Sequence, residues 1–61
     1  MYRMFYRGQY IGNARGFNDG WIACFINGDE RIHAYNLKNK GAAKSWLIEQ
    51  YLKFTMFQEA A

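Results

Sequence analysis

The chain has no proline, one cysteine (Cys24) and one histidine (His33) among its 61 residues. Each shortage excludes something. A single cysteine allows no disulfide within the chain. One cysteine and one histidine cannot furnish a four-ligand zinc site, so no metal or other cofactor is expected. Without proline, the turns must rely on glycine and asparagine. Acidic residues are also scarce: five stand against eight lysines and arginines, for a net charge of +3. That balance permits contact with nucleic acid. No apolar run approaches the roughly 20 residues of a membrane span, and MYRMFYRG at the start lacks the apolar core of a signal peptide. Met1 reads as a native start. A reduced thiol with no export signal points to the cytoplasm.

Aromatic residues, by contrast, make up 20% of the chain, and such side chains dominate core and interface energetics. A chain this short buries only about 60% of its unfolded surface. Small scaffolds commonly lean on a partner, so a homodimer or a protein complex is expected of residues 1–61, read as one small domain.

Residues 2–7, YRMFYR, are rich in strand formers. Glycines and asparagines from Gly8 to Gly20 then read as a loop, with a short extended piece at Gln9–Ile11. Trp21–Ile26 is a strand, Asn27-Gly28 signals a type I′ hairpin turn, and Arg31–Leu37 is the return strand. Asn39 suits an N-cap, and helix formers dominate from Ala42 to about Glu59. The pattern predicts an α+β fold: a three-stranded antiparallel sheet with one long C-terminal helix packed on one face.

Strand period places Ile32 and Ala34 toward the helix, opposite Arg31, His33 and Tyr35. In the preceding strand, Trp21, Ala23 and Phe25 are taken as core, which leaves Ile22, Cys24 and Ile26 on the open face. On the helix, Ala43, Trp46, Leu47, Tyr51, Phe54 and Phe57 form the core stripe. Trp21 and Trp46 are expected to pack in one core. Ile48, Leu52 and Met56 form a second stripe; a helix apolar on two sides is either buried on both, as over a sheet edge, or offers one side as a partner surface.

Four short motifs resemble a known family. YRG at Tyr6–Gly8, WIA at Trp21–Ala23, NGDERIH at Asn27–His33 and GAA at Gly41–Ala43 resemble, in order and spacing, the Apetala/ethylene-response-factor type of DNA-binding domain. That fold is similar to the arm-binding domain of tyrosine integrases. The resemblance implies a three-stranded sheet laid in the DNA major groove, with contacts from Arg7, Arg31 and His33. The chain departs from the family where Cys24 and Ile26 replace charged readers, and where Ala34-Tyr35 replaces Leu-Gly. Cys and Ile offer bases little beyond contact with a thymine methyl.

Two uses of the surface follow. A nucleic-acid-binding module, DNA above all, would draw on Arg7, Arg15, Arg31, His33, Lys38, Lys40 and Lys44, mostly for phosphate contacts, with Tyr10 and Tyr35 available for stacking. The alternative is a protein-binding regulator or inhibitor of a larger machine, of the kind phages and mobile elements encode. It would use Ile22, Cys24, Ile26, Tyr35, Ile48, Leu52 and Met56. No nucleophile, base and oxyanion donor assemble from these residue types, so neither an enzyme nor a small-molecule substrate is expected.

Overall fold

Glycine builds the sheet here instead of interrupting it. The computed structural model describes residues 1–60, with side chains through Met56. Four strands, β1 (Tyr2–Tyr6), β2 (Gln9–Phe17), β3 (Gly20–Asn27) and β4 (Glu30–Leu37), precede one helix, α1 (Lys40–Ala60). They form one antiparallel meander in the order β1-β2-β3-β4. The expected three-stranded sheet is therefore corrected to four strands. The segment read as a glycine-rich loop is β2, which pairs with β1 on one side and β3 on the other.

The glycines of β2 mark close approach, not flexibility. Gly12 (φ 151°) sits so near β3 that a Cβ there would run into the Cys24 carbonyl oxygen and lie 3.1 Å from Leu47 of the helix. A Cβ on Gly16 would come within 2.8 Å of the Trp21 ring, its cross-strand neighbour. The indole covers the strand where a side chain would otherwise stand. Glycine inside a strand is normally unfavourable, and a close approach of this kind is its usual justification.

Two irregularities set which way side chains point. Met4 pairs with Gly12 and Phe5 with Tyr10, so Ile11 is an extra residue in β2. This bulge turns Ile11 inward, where it is fully buried. In β4, Ala34 pairs with Ala23 and Leu37 with Trp21, so Tyr35 and Asn36 together oppose Ile22. Asn36 takes up the extra residue at φ 59°, a conformation asparagine tolerates. The bulge brings Leu37 round to the helix side with Ile32 and Ala34. Strict alternation would have left it beside His33 and Tyr35.

The turns differ from expectation in detail. Asn27 is the last residue of β3 and pairs with Glu30, leaving Gly28-Asp29 as the two-residue loop. Only Gly28 has positive φ there (59°), the pattern of a type II′ turn and not I′. The I′ pattern, positive φ at both central residues, belongs to Arg7 (53°) and Gly8 (80°) between β1 and β2.

The core lies between the sheet and α1. Met4, Ile11, Ala14, Ala23, Phe25, Ala43 and Leu47 are buried. Small residues let the helix approach β2 and β3, over which it mainly lies. Trp21 and Trp46 pack against this core half-buried, so they form its margin and not its centre. Tyr6 meets Tyr51 edge-on at 5.8 Å, and Tyr2 packs against Trp21 at 5.7 Å. Asn39 caps the helix: its Oδ1 accepts the Ala42 N–H at 2.8 Å. Ile48 also turns toward the core, which breaks up the second helical stripe; Leu52 and Met56 remain exposed. Because α1 leaves β4 largely uncovered, Ile32 is on the helix side yet still 44% exposed. Phe57 lies outside the residues whose side chains are described.

Candidate nucleic-acid interface

Among the described residues, no element covers the side of the sheet away from α1. Alternation assigns Arg3 and Phe5 of β1, Tyr10, Asn13, Arg15 and Phe17 of β2, Ile22, Cys24 and Ile26 of β3, and Arg31, His33 and Tyr35 of β4 to this face. Pairing lines them up in rows. Arg3 stands across from Asn13, Asn13 from Cys24 and Cys24 from His33. Arg15 stands across from Ile22, Phe5 from Tyr10 and Ile26 from Arg31.

Charge and aromatic surface are interleaved along three strands. Each carries a cation two residues before a ring: Arg3 before Phe5, Arg15 before Phe17, and Arg31 before His33, which is followed by Tyr35. Residues two apart in a strand share a face about 7 Å apart. The Arg15 guanidinium lies 6.0 Å from the Phe17 ring, and His33 stacks on Tyr35 at 6.2 Å with planes 19° apart. Phe5 and Tyr10 pack at 5.6 Å, and the Tyr10 hydroxyl accepts a long hydrogen bond from the Asn13 amide at 3.4 Å. Phe5, Phe17 and Tyr35 are each about half or more exposed, at 50%, 48% and 63%. Their rings therefore leave much of their surface to solvent instead of to the core.

Among the described residues, no carboxylate belongs to this face of the strands. Asp29 lies in the β3–β4 turn, and Glu30 shares the helix side with Ile32 by alternation. Asp19, in the β2–β3 turn, reaches the rim beside Phe17 and Tyr35. The surface is shallow: one depression of about 280 Å³ is lined by Arg15, Phe17, Ile22, Cys24 and His33 among others. A second lies between Arg3, Phe5 and Tyr10 at the β1 edge.

The expected nucleic-acid contacts divide into three groups. Arg15, Arg31 and His33 come together on the open face. Arg7 does not: it sits in the β1–β2 turn, its guanidinium 5.4 Å from the Tyr6 ring. Lys38, Lys40 and Lys44 gather at the start of α1, where the Lys40 ammonium lies 3.8 Å over the Tyr2 ring. Of the expected partner contacts, Ile22, Cys24 and Ile26 are half-buried in the floor of the open face and Tyr35 projects from it. Arg3, Phe5 and Phe17 were missed. The repeated spacing RMF, RGF and RIHAY carries the signal, but it is readable only once residues 9–17 are known to be a strand.

Cys24 and His33 are direct cross-strand neighbours. No hydrogen bond joins their side chains, and the shallow face supplies no enclosed site for an oxyanion. Among the described residues, no group of three or more His, Cys, Asp or Glu is placed to hold a metal ion, and no helix is long and apolar enough to cross a membrane.

Comparison of the chain with protein-family models, curated proteins and solved structures finds no match.

Proposed function

We propose that the protein is a non-enzymatic nucleic-acid-binding module whose contact surface is the open face of the sheet. One observation carries this reading: Arg3, Arg15, Arg31 and His33 share a face with exposed rings, and the strands set no carboxylate against them. Arginine beside an aromatic plane suits a polyanion that also has flat bases. Lys40, packed over Tyr2 on the helix side, contributes long-range attraction rather than a contact on this face.

Fluorescence anisotropy of labelled oligonucleotides across a salt series tests the proposal. Each neutralised phosphate contributes about −0.7 to the slope of log K against log salt on a single strand and about −0.9 on a duplex. Three arginines therefore give a slope of roughly −2 to −3. Arg3→Ala with Arg31→Ala should flatten it by about 1.4 to 1.8. Absence of binding at 50 mM salt would sink the reading.

A second reading, the protein-binding regulator or inhibitor, draws on Leu52 and Met56, which are 42% and 67% exposed on α1. Leu52→Lys with Met56→Glu would then lower the molar mass seen by light scattering, or abolish capture of a protein partner, while leaving the fold intact. A monomeric wild type that captures nothing removes this reading.

A further inference from the structure

We infer that the ligand of the open face is single-stranded nucleic acid, held by bases stacked on Phe5, Tyr10, Phe17 and Tyr35. This rests on the nucleic-acid reading above and narrows it. Width is the first argument. Four strands spaced about 4.8 Å apart span about 14 Å between the outer backbones, before any side chain is added. The major groove of duplex DNA is about 12 Å wide and admits a helix or a two-stranded ribbon. The fourth strand, which β2 supplies, makes the sheet too broad to lie flat in that groove.

The second argument is what the face displays. A duplex hides the flat faces of its bases inside the stack and presents phosphates and base edges. A surface shaped for it needs donors and acceptors across its breadth; here Arg3, Asn13, Arg15, Arg31 and His33 supply donors, but the floor between them is Ile22, Cys24 and Ile26. Exposed rings serve a ligand whose base faces are free. The rings also form two stations. Phe5 and Tyr10 sit together at one end, and Phe17 lies at the other end of β2 near Tyr35 across the shared rim. Tyr10 and Phe17 are seven residues apart, about 20 Å along a strand. A short run of unstacked nucleotides spans that distance, and about four is the low end for single-strand platforms.

The third argument is the pairing of ring and cation. A stacked base and its own phosphate are separated by one sugar. A ring with an arginine two residues before it, at Arg3-Phe5 and Arg15-Phe17, receives both parts of one nucleotide on adjacent side chains of one strand.

The test uses the full chain and three labelled probes at 50 mM salt: a 12-nucleotide DNA strand, the matching RNA strand and a 20-base-pair DNA duplex. Both single strands should bind at least tenfold tighter than the duplex, and the ratio between them tells RNA from DNA preference. Phe17→Leu and Tyr35→Leu should each weaken single-strand binding roughly 5- to 100-fold. Their thermal melts should stay close to wild type, because both rings are outside the core. Tyr35→Trp should retain binding. Duplex binding as tight as single-strand binding would overturn the inference. So would unchanged affinity in the ring variants while Arg3→Ala and Arg31→Ala lose it, though the nucleic-acid reading would survive. If none of the three probes binds, both fall together.

Discussion

The two faces of the sheet are built from the same four strands and obey opposite rules. Toward α1, residues are small or apolar and tightly fitted: Gly12, Ala14, Gly16, Ala23 and Phe25 leave room for Ala43, Leu47 and the Trp21 ring. Toward solvent, large rings and arginines stand side by side with no layer above them. The helix face is restricted by packing, where a single added carbon is felt. The open face has no opposing layer to fit. Among the described residues, Phe25 is the one aromatic ring in the buried core, which otherwise holds aliphatic and small side chains. The largest fully buried side chains are Ile11 and Leu47, and the biggest rings lie at the margin or outside.

Moving a charge from one face to the other gives the largest break in that comparison. Ala23→Lys places an ammonium at a fully buried position between sheet and helix. Burying an unpaired charge costs on the order of 5 kcal/mol, against a total stability of about 3–9 kcal/mol for a chain this long. That variant should be largely unfolded by circular dichroism at 25 °C. The adjacent Cys24→Lys lies on the open face, where the half-buried position can take the apolar stem while the ammonium reaches water. It should melt near wild type and bind nucleic acid more tightly, with a steeper salt dependence.

Gly12→Ala should come next. The new Cβ meets the Cys24 carbonyl at a φ that side chains rarely adopt, so strain and overpacking together remove at least about 2 kcal/mol. Chemical denaturation measures the loss. A near-native midpoint would show that β2 does not run this close to β3. Leu47→Ala, at a fully buried helix position, should lose about 2–5 kcal/mol and provides the reference for how much the core holds. Asn39→Ala removes the helix cap, for about 1 kcal/mol, or a fall in Tm of roughly 4–8 °C.

The smallest structural effect belongs to the open face. Arg15→Ala should change stability by less than about 0.5 kcal/mol yet flatten the salt slope by about 0.7 on a single strand. Lys53→Ala is the control. Its exposed pair with Glu49 at 3.2 Å is worth only a few tenths of a kcal/mol, and binding should not change. If Lys53 and Arg15 behave alike, charge alone and not the face is what the ligand reads.

Elements controlled by local chemistry can be read before any packing is known. Asn39 was legible as a cap because its side chain satisfies the helix's own N–H groups. Trp21, Ala23 and Phe25 were legible as inward-facing because a large-small-large pattern suits a crossing helix, and Arg31 with His33 as outward-facing because charge stays in water. Tertiary structure alone decided the rest. Gly12 and Gly16 read as loop residues because, taken locally, glycine signals freedom. Their reason for being glycine is the Cys24 carbonyl and the Trp21 ring, which belong to the next strand and arrive only when β3 pairs. The bulges at Ile11 and at Tyr35-Asn36 shift side-chain alternation by one, and no periodicity count within a single strand reveals where a neighbour slips. For the same reason Arg3, Phe5 and Phe17 stayed invisible as parts of one surface. Such a face is a property of strands laid side by side, and it exists only after β2 takes its place between β1 and β3.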